Sequence, residues 1–534
     1  MALKIQSNLL YSTNPRTDEI ISEFPATNPD EIPSIIQKVR GAFEHWSKLS
    51  LRTRLEILKK AYLQFYLHQD EVAKLISEET GKPLVEAYSS EILPVLDCFK
   101  YYIKNVRKIL ENRKITALSP LFKLRKGYVR YEPLGVVAVI SPWNYPFLLA
   151  MQHIIPAILA GNAVISKPSE YTTLTGLKIR DIFDRAYLPK SVLEIVTGLA
   201  DVGAALANGA VDKIIFTGST EVGKKIYQSA AKNLVPVTME LGGSDPMIVL
   251  EDANIERATN AAVWGAYSNA GQACLSVERL FVHESINSKF IELLVQKAQE
   301  LRPGSNNVVE GEMACLANEA QFNKIISLVQ DALNKGAVLE LGGRARKNLG
   351  PWYFEPTILT KVNSSMEILK KESFGPLISI IPFRTDEQVV SLANDSEFGL
   401  SASIWTQNRK RGLKLANKIH AGAVLINDVQ IHIAQIEAPY TGHKKSGLGV
   451  SHGPWGVLDV MRPKYINADR PLVTAILRMI SKRLANNDIW WFRYSEKLVE
   501  NFKVFTDFLH ADSLWKKIKS TPAVIRALFR KDYL

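Results

Sequence analysis

The sequence predicts an α/β protein built on parallel sheets, and three observations carry that expectation. Short β-prone runs alternate with helical patterns between residues 135 and 300, as strand–helix–strand units do. The chain has 534 residues, 46 % of them hydrophobic and 22 % charged. That suffices for a large core, points to two or three domains and excludes wholesale disorder. The three cysteines, Cys98, Cys274 and Cys315, are too few for a disulfide scaffold and fit a reducing, cytoplasmic setting. None has C-x-x-C spacing and the nine histidines are scattered, so no metal site is expected.

In chain order, Met1 to Ile21 has no apolar stretch ahead of its charges and does not read as a secretory signal. Apolar residues at three- and four-residue steps predict helices over Asp30–Ser47 and Leu51–Thr80, making the first hundred residues mainly helical. Strands are expected at Gly135–Ile140, Ala163–Ser166, Val192–Val196 and Lys213–Phe216. Helices are expected between them at Tyr145–Leu159, Thr172–Ala186 and Asp201–Asn208. The uncharged run Leu134–Ser166 passes a hydropathy window for a membrane span, but Pro142, Pro146, Pro156 and Gly161 suit strand, loop and helix instead. A second α/β unit begins near residue 243, with strands Pro246–Leu250 and Arg279–His283 and helices Ile255–Asn269 and Ile286–Glu300. Arg130–Leu134 and Glu437–Met461 interrupt these units.

The formal charge is +12 and the pI about 9.3, so an anionic partner has to be weighed. From Asn467 to Leu534, 13 Lys and Arg stand against 7 Asp and Glu, a net of +6. Half the excess therefore lies in a basic tail on a nearly balanced body. The tail reads as three helices. Leu472, Val473, Ile476, Leu477, Ile480 and Leu484 share one face of the first, Ser495 caps the second, and Thr521-Pro522 opens the third. With the aromatic run Trp490 to Tyr494 alongside, its apolar stripes either pack on the protein or lie peripherally on an anionic membrane. No stretch there is long enough to span a bilayer, and nothing in it suits nucleic-acid recognition.

Four short stretches could carry chemistry. In Phe216-Thr-Gly-Ser-Thr-Glu-Val-Gly-Lys-Lys225, a strand, a glycine turn and a helix start would aim N–H groups at an anion. Lys225 stands where a P-loop carries its metal-binding hydroxyl, so an ATPase is disfavoured. Cys274 follows the polar, glycine-containing loop Ser268 to Gln272, where a thiol can be reached, although a lone cysteine is more often a buried hydrophobe. Cys98 and Cys315 sit in apolar surroundings and read as structural. Glu240 ends the run Val237-Thr-Met, just before Gly242 and Gly243; it is either a solvated strand end or a held carboxylate whose pKa partial burial would raise towards that of a general base. Asn144, between Pro142 and Pro146, can donate to a developing oxyanion or cap the next helix.

Together, in this order, these pieces resemble the NAD(P)-dependent aldehyde dehydrogenase superfamily. Further matches are Pro133-Leu-Gly-Val-Val, Pro156 to Asn162, Lys167-Pro-Ser-Glu170, Glu372-Ser-Phe-Gly-Pro376 and Asn394 to Leu400, covering roughly residues 10 to 465. The resemblance implies oxidation of a small-molecule aldehyde to the acid, with Cys274 as the nucleophile that forms a thiohemiacetal and then a thioester. It implies that Asn144 and the Cys274 N–H hold the oxyanion and that Glu240 activates the hydrolytic water. For the cofactor it implies Lys167 and Glu170 at the adenosine ribose, Trp143, Gly218 and Ser219 along the pyrophosphate, and Glu372 and Phe374 at the nicotinamide ribose. A carboxylate at Glu170 favours NAD, with NADP as the alternative.

The resemblance also implies a Rossmann-type NAD-binding domain (residues 1–112 and 132–242), a catalytic domain (243–430) and a β bridging element (113–131 and 431–466). The bridging element would serve a homodimer or homotetramer, and residues 467–534 form the helical extension. A non-catalytic protein retaining the fold is the alternative. Three departures stand out. Lys444-Lys-Ser-Gly-Leu-Gly449 is followed by Val450 and Ser451, where many members have Arg-Glu; Tyr440-Thr-Gly-His443 replaces a double glycine; and His153 replaces a common lysine. The first puts a proton relay through that glutamate in doubt. The aldehyde itself is left open. Leu275 leans towards aliphatic or aromatic aldehydes, while Arg279 leaves a carboxylate-bearing one open.

Overall fold

The computed structural model describes residues 9–117, 125–304, 309, 311–471, 475, 479 and 494–529. The chain divides into two units, residues 1–109 with 132–462 and residues 110–131 with 463–534.

The first unit opens on a β-hairpin, Leu9–Asn14 against Glu19–Pro25, where the sequence predicts no strand. Its buried positions include Ser12, whose hydroxyl donates to the buried Glu79 at 2.7 Å, so no hydrophobic alternation marks it. The run expected as one helix over Leu51–Thr80 is two, Leu51–Leu67 and Gln69–Thr80. They part at His68, and Asp70 and Glu71 then favour a new helix N-terminus.

A six-stranded sheet follows, in the order Gly447–Leu448, Val237–Glu240, Lys213–Thr217, Val136–Ile140, Ala163–Lys167, Leu193–Ile195. All are parallel except Gly447–Leu448. Every residue of the three middle strands is buried, as expected of a parallel sheet covered on both faces. From Val136–Ile140 the chain builds towards Leu193–Ile195 and then crosses back to Lys213–Thr217. That reversal opens a crevice at the carboxyl ends of the strands. The uncharged run from Leu134 resolves into the strands Val136–Ile140 and Ala163–Lys167 with the helix Leu148–Ala160 between them. Among the described residues, no helix is long and apolar enough to cross a membrane.

A seven-stranded sheet carries Val338–Leu341, Thr357–Thr360, Leu377–Phe383, Val277–His283, Asp245–Val249, Ser401–Trp405 and Ala423–Ile426, in that order. Only Val338–Leu341 is antiparallel. Helices Ile255–Tyr267, Glu284–Gln299 and Glu319–Asn334 bury Ala258, Ala262, Phe290, Leu294, Ile325 and Val329 in one cluster with its strands.

The second unit contains a three-stranded sheet ordered Met461–Asp469, Arg125–Pro133, Arg113–Ile115. Helix Glu496–His510 starts as expected, with the Ser495 hydroxyl accepting from the Leu498 N–H. The last helix does not open at Thr521-Pro522. It runs Leu514–Phe529 with Pro522 inside. The Thr521 hydroxyl donates back to the Lys517 carbonyl at 2.8 Å rather than capping forward, so it belongs to a helix interior. The first tail helix expected on Leu472 to Leu484 lies almost wholly outside the described residues.

Candidate active site

The Ser141–Pro146 turn leaves the carboxyl end of Val136–Ile140. A fully buried ion pair holds it: Lys82 Nζ lies 2.6 Å from Glu91 Oε1 and donates to the Asn144 carbonyl at 2.7 Å. Glu91 in turn accepts from the Phe147 and Leu148 N–H groups at 2.8 and 3.2 Å. The Asn144 side chain donates one N–H to the Gln272 carbonyl at 3.0 Å, which leaves the second amide hydrogen for a ligand.

The Cys274 loop is tied to the same turn. Asn269 Nδ2 donates to the Asn144 and Gln272 carbonyls, and the Asn269 N–H donates to Glu86 at 2.8 Å. Asn269 and Ala270 have φ of 50° and 53°, a strained left-handed pair of the kind found at functional loops. Gly271 follows at φ 70°, and a Cβ there would meet the Gly375 carbonyl at 2.1 Å. Cys274 is half-buried, whereas Cys98 and Cys315 are fully buried, as expected. Burial pushes the Cys274 thiol up to about 12; the Tyr440 hydroxyl, 3.5 Å from Sγ, works the other way, while Glu372, Asp245 and Glu240 add to the rise.

Glu240 ends strand Val237–Glu240 and is buried, not a solvated strand end. The expected rise in its pKa does not occur. Burial alone would raise it, but His153, Ser451 and His452 together hold the carboxyl below its ordinary value. Ser451 donates to Oε1, Gln152 Nε2 donates to Oε2 at 3.0 Å, and His153 Nε2 lies 3.5 Å from Oε1. The two glycines after Leu241 are needed because the chain is crowded. A Cβ at Gly243 would meet the Cys274 carbonyl at 2.2 Å.

Around a 220 Å³ cavity the fold gathers Asn144, Glu240 and Cys274 with Trp143, Gly218, Ser219, Glu372 and Phe374. Trp143 and Phe374 meet edge to face at 5.4 Å. Burial raises Glu372 to about 8, Glu278 adding to the rise and the Gly243 N–H opposing it. Ser219 caps helix Thr220–Ala231, accepting from the Val222 N–H, so a helix N-terminus faces the crevice. Lys225 is exposed on that helix. Lys167 and Glu170 do not line the cavity; they stand 4.0 Å apart at the end of the next strand. Carboxyl groups for ribose hydroxyls, a helix N-terminus for phosphate and a lysine along one crevice fit a dinucleotide.

Cys274 and Leu149 also line a second cavity, of 510 Å³, with Leu148, Trp264, Leu275, Ile431 and Ile433. The thiol thus stands in the wall between a polar space and an apolar one. Arg279, which the sequence left open as a substrate contact, is buried and donates to the Ser244 and Ala393 carbonyls. Sequence reasoning missed Gln321 and Lys324 on the polar cavity. It also missed Glu278, which accepts from Ser373 and from the Phe374 N–H and so sets the Glu372 loop. These residues lie outside the short motifs, and no local pattern signals them.

A model of the aldehyde dehydrogenase family matches residues 4–466. The 4,4'-diapolycopene aldehyde oxidase of a Methylomonas species is 34 % identical over 524 residues, covering 97 % of this chain and 94 % of its own, so the likeness extends into the C-terminal region. The peroxisomal aminoaldehyde dehydrogenase 1 of Pisum sativum is 37 % identical, over 86 % of this chain and 93 % of its own. Among solved structures, the betaine aldehyde dehydrogenase of Staphylococcus aureus in complex with NAD+ superposes with a TM-score of 0.83 at 30 % identity, covering 91 % of this chain and 94 % of that one.

Proposed function

The chain belongs to the aldehyde dehydrogenase family and oxidises an aldehyde to the carboxylic acid with NAD, and from that premise we propose that Cys274, Asn144 and Glu240 carry the reaction and that the aldehyde is apolar. The single observation behind the substrate class is the 510 Å³ cavity that ends at Cys274, of a size suited to a small molecule. Its charged liners are one of each sign, Arg257 and Asp428, against a wall of Leu148, Leu149, Trp264, Leu275 and Ile433. The apolar aldehyde named for the Methylomonas relative supports the same reading.

When bound, NAD supplies the hydride acceptor and a positive charge that eases ionisation of the neighbouring thiol. Cys274, ionised with its proton released to solvent, adds through Sγ to the carbonyl carbon, and the resulting oxyanion is met by the free N–H of the Asn144 amide and the Cys274 N–H. Collapse of this thiohemiacetal expels hydride and leaves a thioester on Cys274. Glu240 accepts a proton from water as the water oxygen bonds to the acyl carbon, and the C–S bond then breaks.

NADH formation with hexanal, decanal, benzaldehyde, succinic semialdehyde, 3-aminopropanal and betaine aldehyde tests the substrate class. kcat/KM rises from hexanal to decanal, by up to ~4-fold per buried methylene, and Ile433→Asp lowers it for decanal at least ~10-fold. Greater kcat/KM for betaine aldehyde or 3-aminopropanal than for every apolar aldehyde overturns the reading.

The Lys167–Glu170 pair supports NAD over NADP, since a carboxylate accepts from ribose hydroxyls and repels a 2′-phosphate. Glu170→Ala raises the NADP to NAD ratio of kcat/KM by ~10-fold, roughly the loss of one like-charge repulsion. An unchanged ratio removes Glu170 from cofactor choice.

A further inference from the structure

In the second unit, the helix Leu514–Phe529 carries apolar side chains on two opposite sides. One side holds Val524, which is buried, with Ser520 and Thr521 half-buried, and the helix packs against Glu496–His510. The other side holds Leu514, Trp515 and Ile518, which are 77, 69 and 61 % exposed. At 3.6 residues per turn these three fall within about 100° of arc, with Lys517 at one edge and Lys519 at the other. Lys519 Nζ lies 5.3 Å from the centre of the Trp515 ring, a cation placed over an aromatic face.

The charge around this strip has one sign. From Ser513 to Lys531 the chain holds Lys516, Lys517, Lys519, Arg526, Arg530 and Lys531 and no acid. Among the described residues, none of the three lysines forms an ion pair. An exposed apolar strip rimmed by cations suits a surface that offers acyl chains and anionic headgroups together. We propose that this helix docks the protein on an anionic membrane, with Leu514, Trp515 and Ile518 entering between the headgroups and Lys516, Lys517 and Lys519 meeting lipid phosphates. The helix lies along the surface and does not cross it. Its 16 residues span about 24 Å, short of a hydrocarbon core of ~30 Å.

A second copy of the chain fits this face less well, because pairing two such strips brings lysine rims against lysine rims. Docking stands on the helix itself and does not depend on the reaction at Cys274. The two are connected through the substrate, since an apolar aldehyde of the class proposed above concentrates in a bilayer. An enzyme held at that surface meets its substrate where the substrate collects.

Sedimentation of the full chain with sucrose-loaded vesicles tests the docking. The protein binds phosphatidylcholine vesicles containing phosphatidylglycerol at least ~10-fold more tightly than phosphatidylcholine alone, on a scale of ~5-fold per lysine near an anionic surface. Raising the salt weakens that binding. Trp515→Ser combined with Ile518→Ser weakens it at least ~10-fold through lost apolar insertion. Lys516→Gln combined with Lys519→Gln does so to a similar extent through lost charge. Both double variants keep the wild-type Tm, because the changed side chains point into solvent. No sedimentation of the wild type, equal binding to the two vesicle types, or binding by either double variant within about twofold of wild type overturns the proposal. A lowered Tm in the Trp515→Ser, Ile518→Ser variant also overturns it and assigns the face to packing on the protein. A smaller oligomer of that variant by light scattering overturns it too and assigns the face to a second copy.

Discussion

Cys274→Ala forms no NADH from any aldehyde, a loss of at least ~10⁴-fold on the scale of removing a covalent nucleophile. The fold survives. The side chain is half-buried against a cavity rather than packed in the core, so the change costs about 1 kcal/mol. Parallel measurement of NADH formation and Tm separates the two effects, and residual turnover above about one per cent of wild type would remove Cys274 as nucleophile. The other thiols offer no substitute. Cys98 and Cys315 are fully buried, whereas Cys274 is half-buried and lines both cavities, so a thiol reagent applied to the native protein labels Cys274 alone.

Glu240→Gln separates the two halves of the reaction. Glutamine preserves the volume and can still meet Ser451, but it accepts no proton from water. Rapid mixing with aldehyde and NAD gives a burst of about one NADH per site, followed by turnover slowed ~10²–10³-fold, within the usual range for general base catalysis. Loss of the burst along with turnover would mean that Glu240 acts before the thioester. The same substitution has a signature in stability. Glu240 is held below the ordinary carboxylate value of 4.5 in the fold, so its contribution is fully present above that pH and is lost as pH falls through the depressed value. The Tm gap between wild type and variant is constant near neutrality and narrows in acid.

The candidate site was partly legible from local signals. Cys274 stands apart from the other two thiols because a polar, glycine-containing loop precedes it, and that loop carries the strained Asn269–Ala270 pair in the structure. Glu240 is marked by its place at a strand end before two glycines, but its charge state is not. The local stretch predicts a raised pKa from burial, whereas His153, Ser451 and His452 reverse it. The departure at Val450-Ser451 shows a missing glutamate in the sequence, whereas only the fold shows that the Ser451 hydroxyl donates to Glu240.

The sequence by itself determined the alternation of strands and helices and the order of the motifs along the chain. Each of these rests on periodicity or on adjacent residues, which a linear chain records. Tertiary structure alone decided what holds the reacting groups. Lys82 reaches the Asn144 carbonyl across 62 residues of chain, and Ser451 reaches Glu240 across 211. It also decided that one thiol divides a polar cavity from an apolar one. Such contacts leave no local trace, because burial and partner identity are properties of the packed interior, and the fold sets both the site's electrostatics and the shape of its substrate cavity.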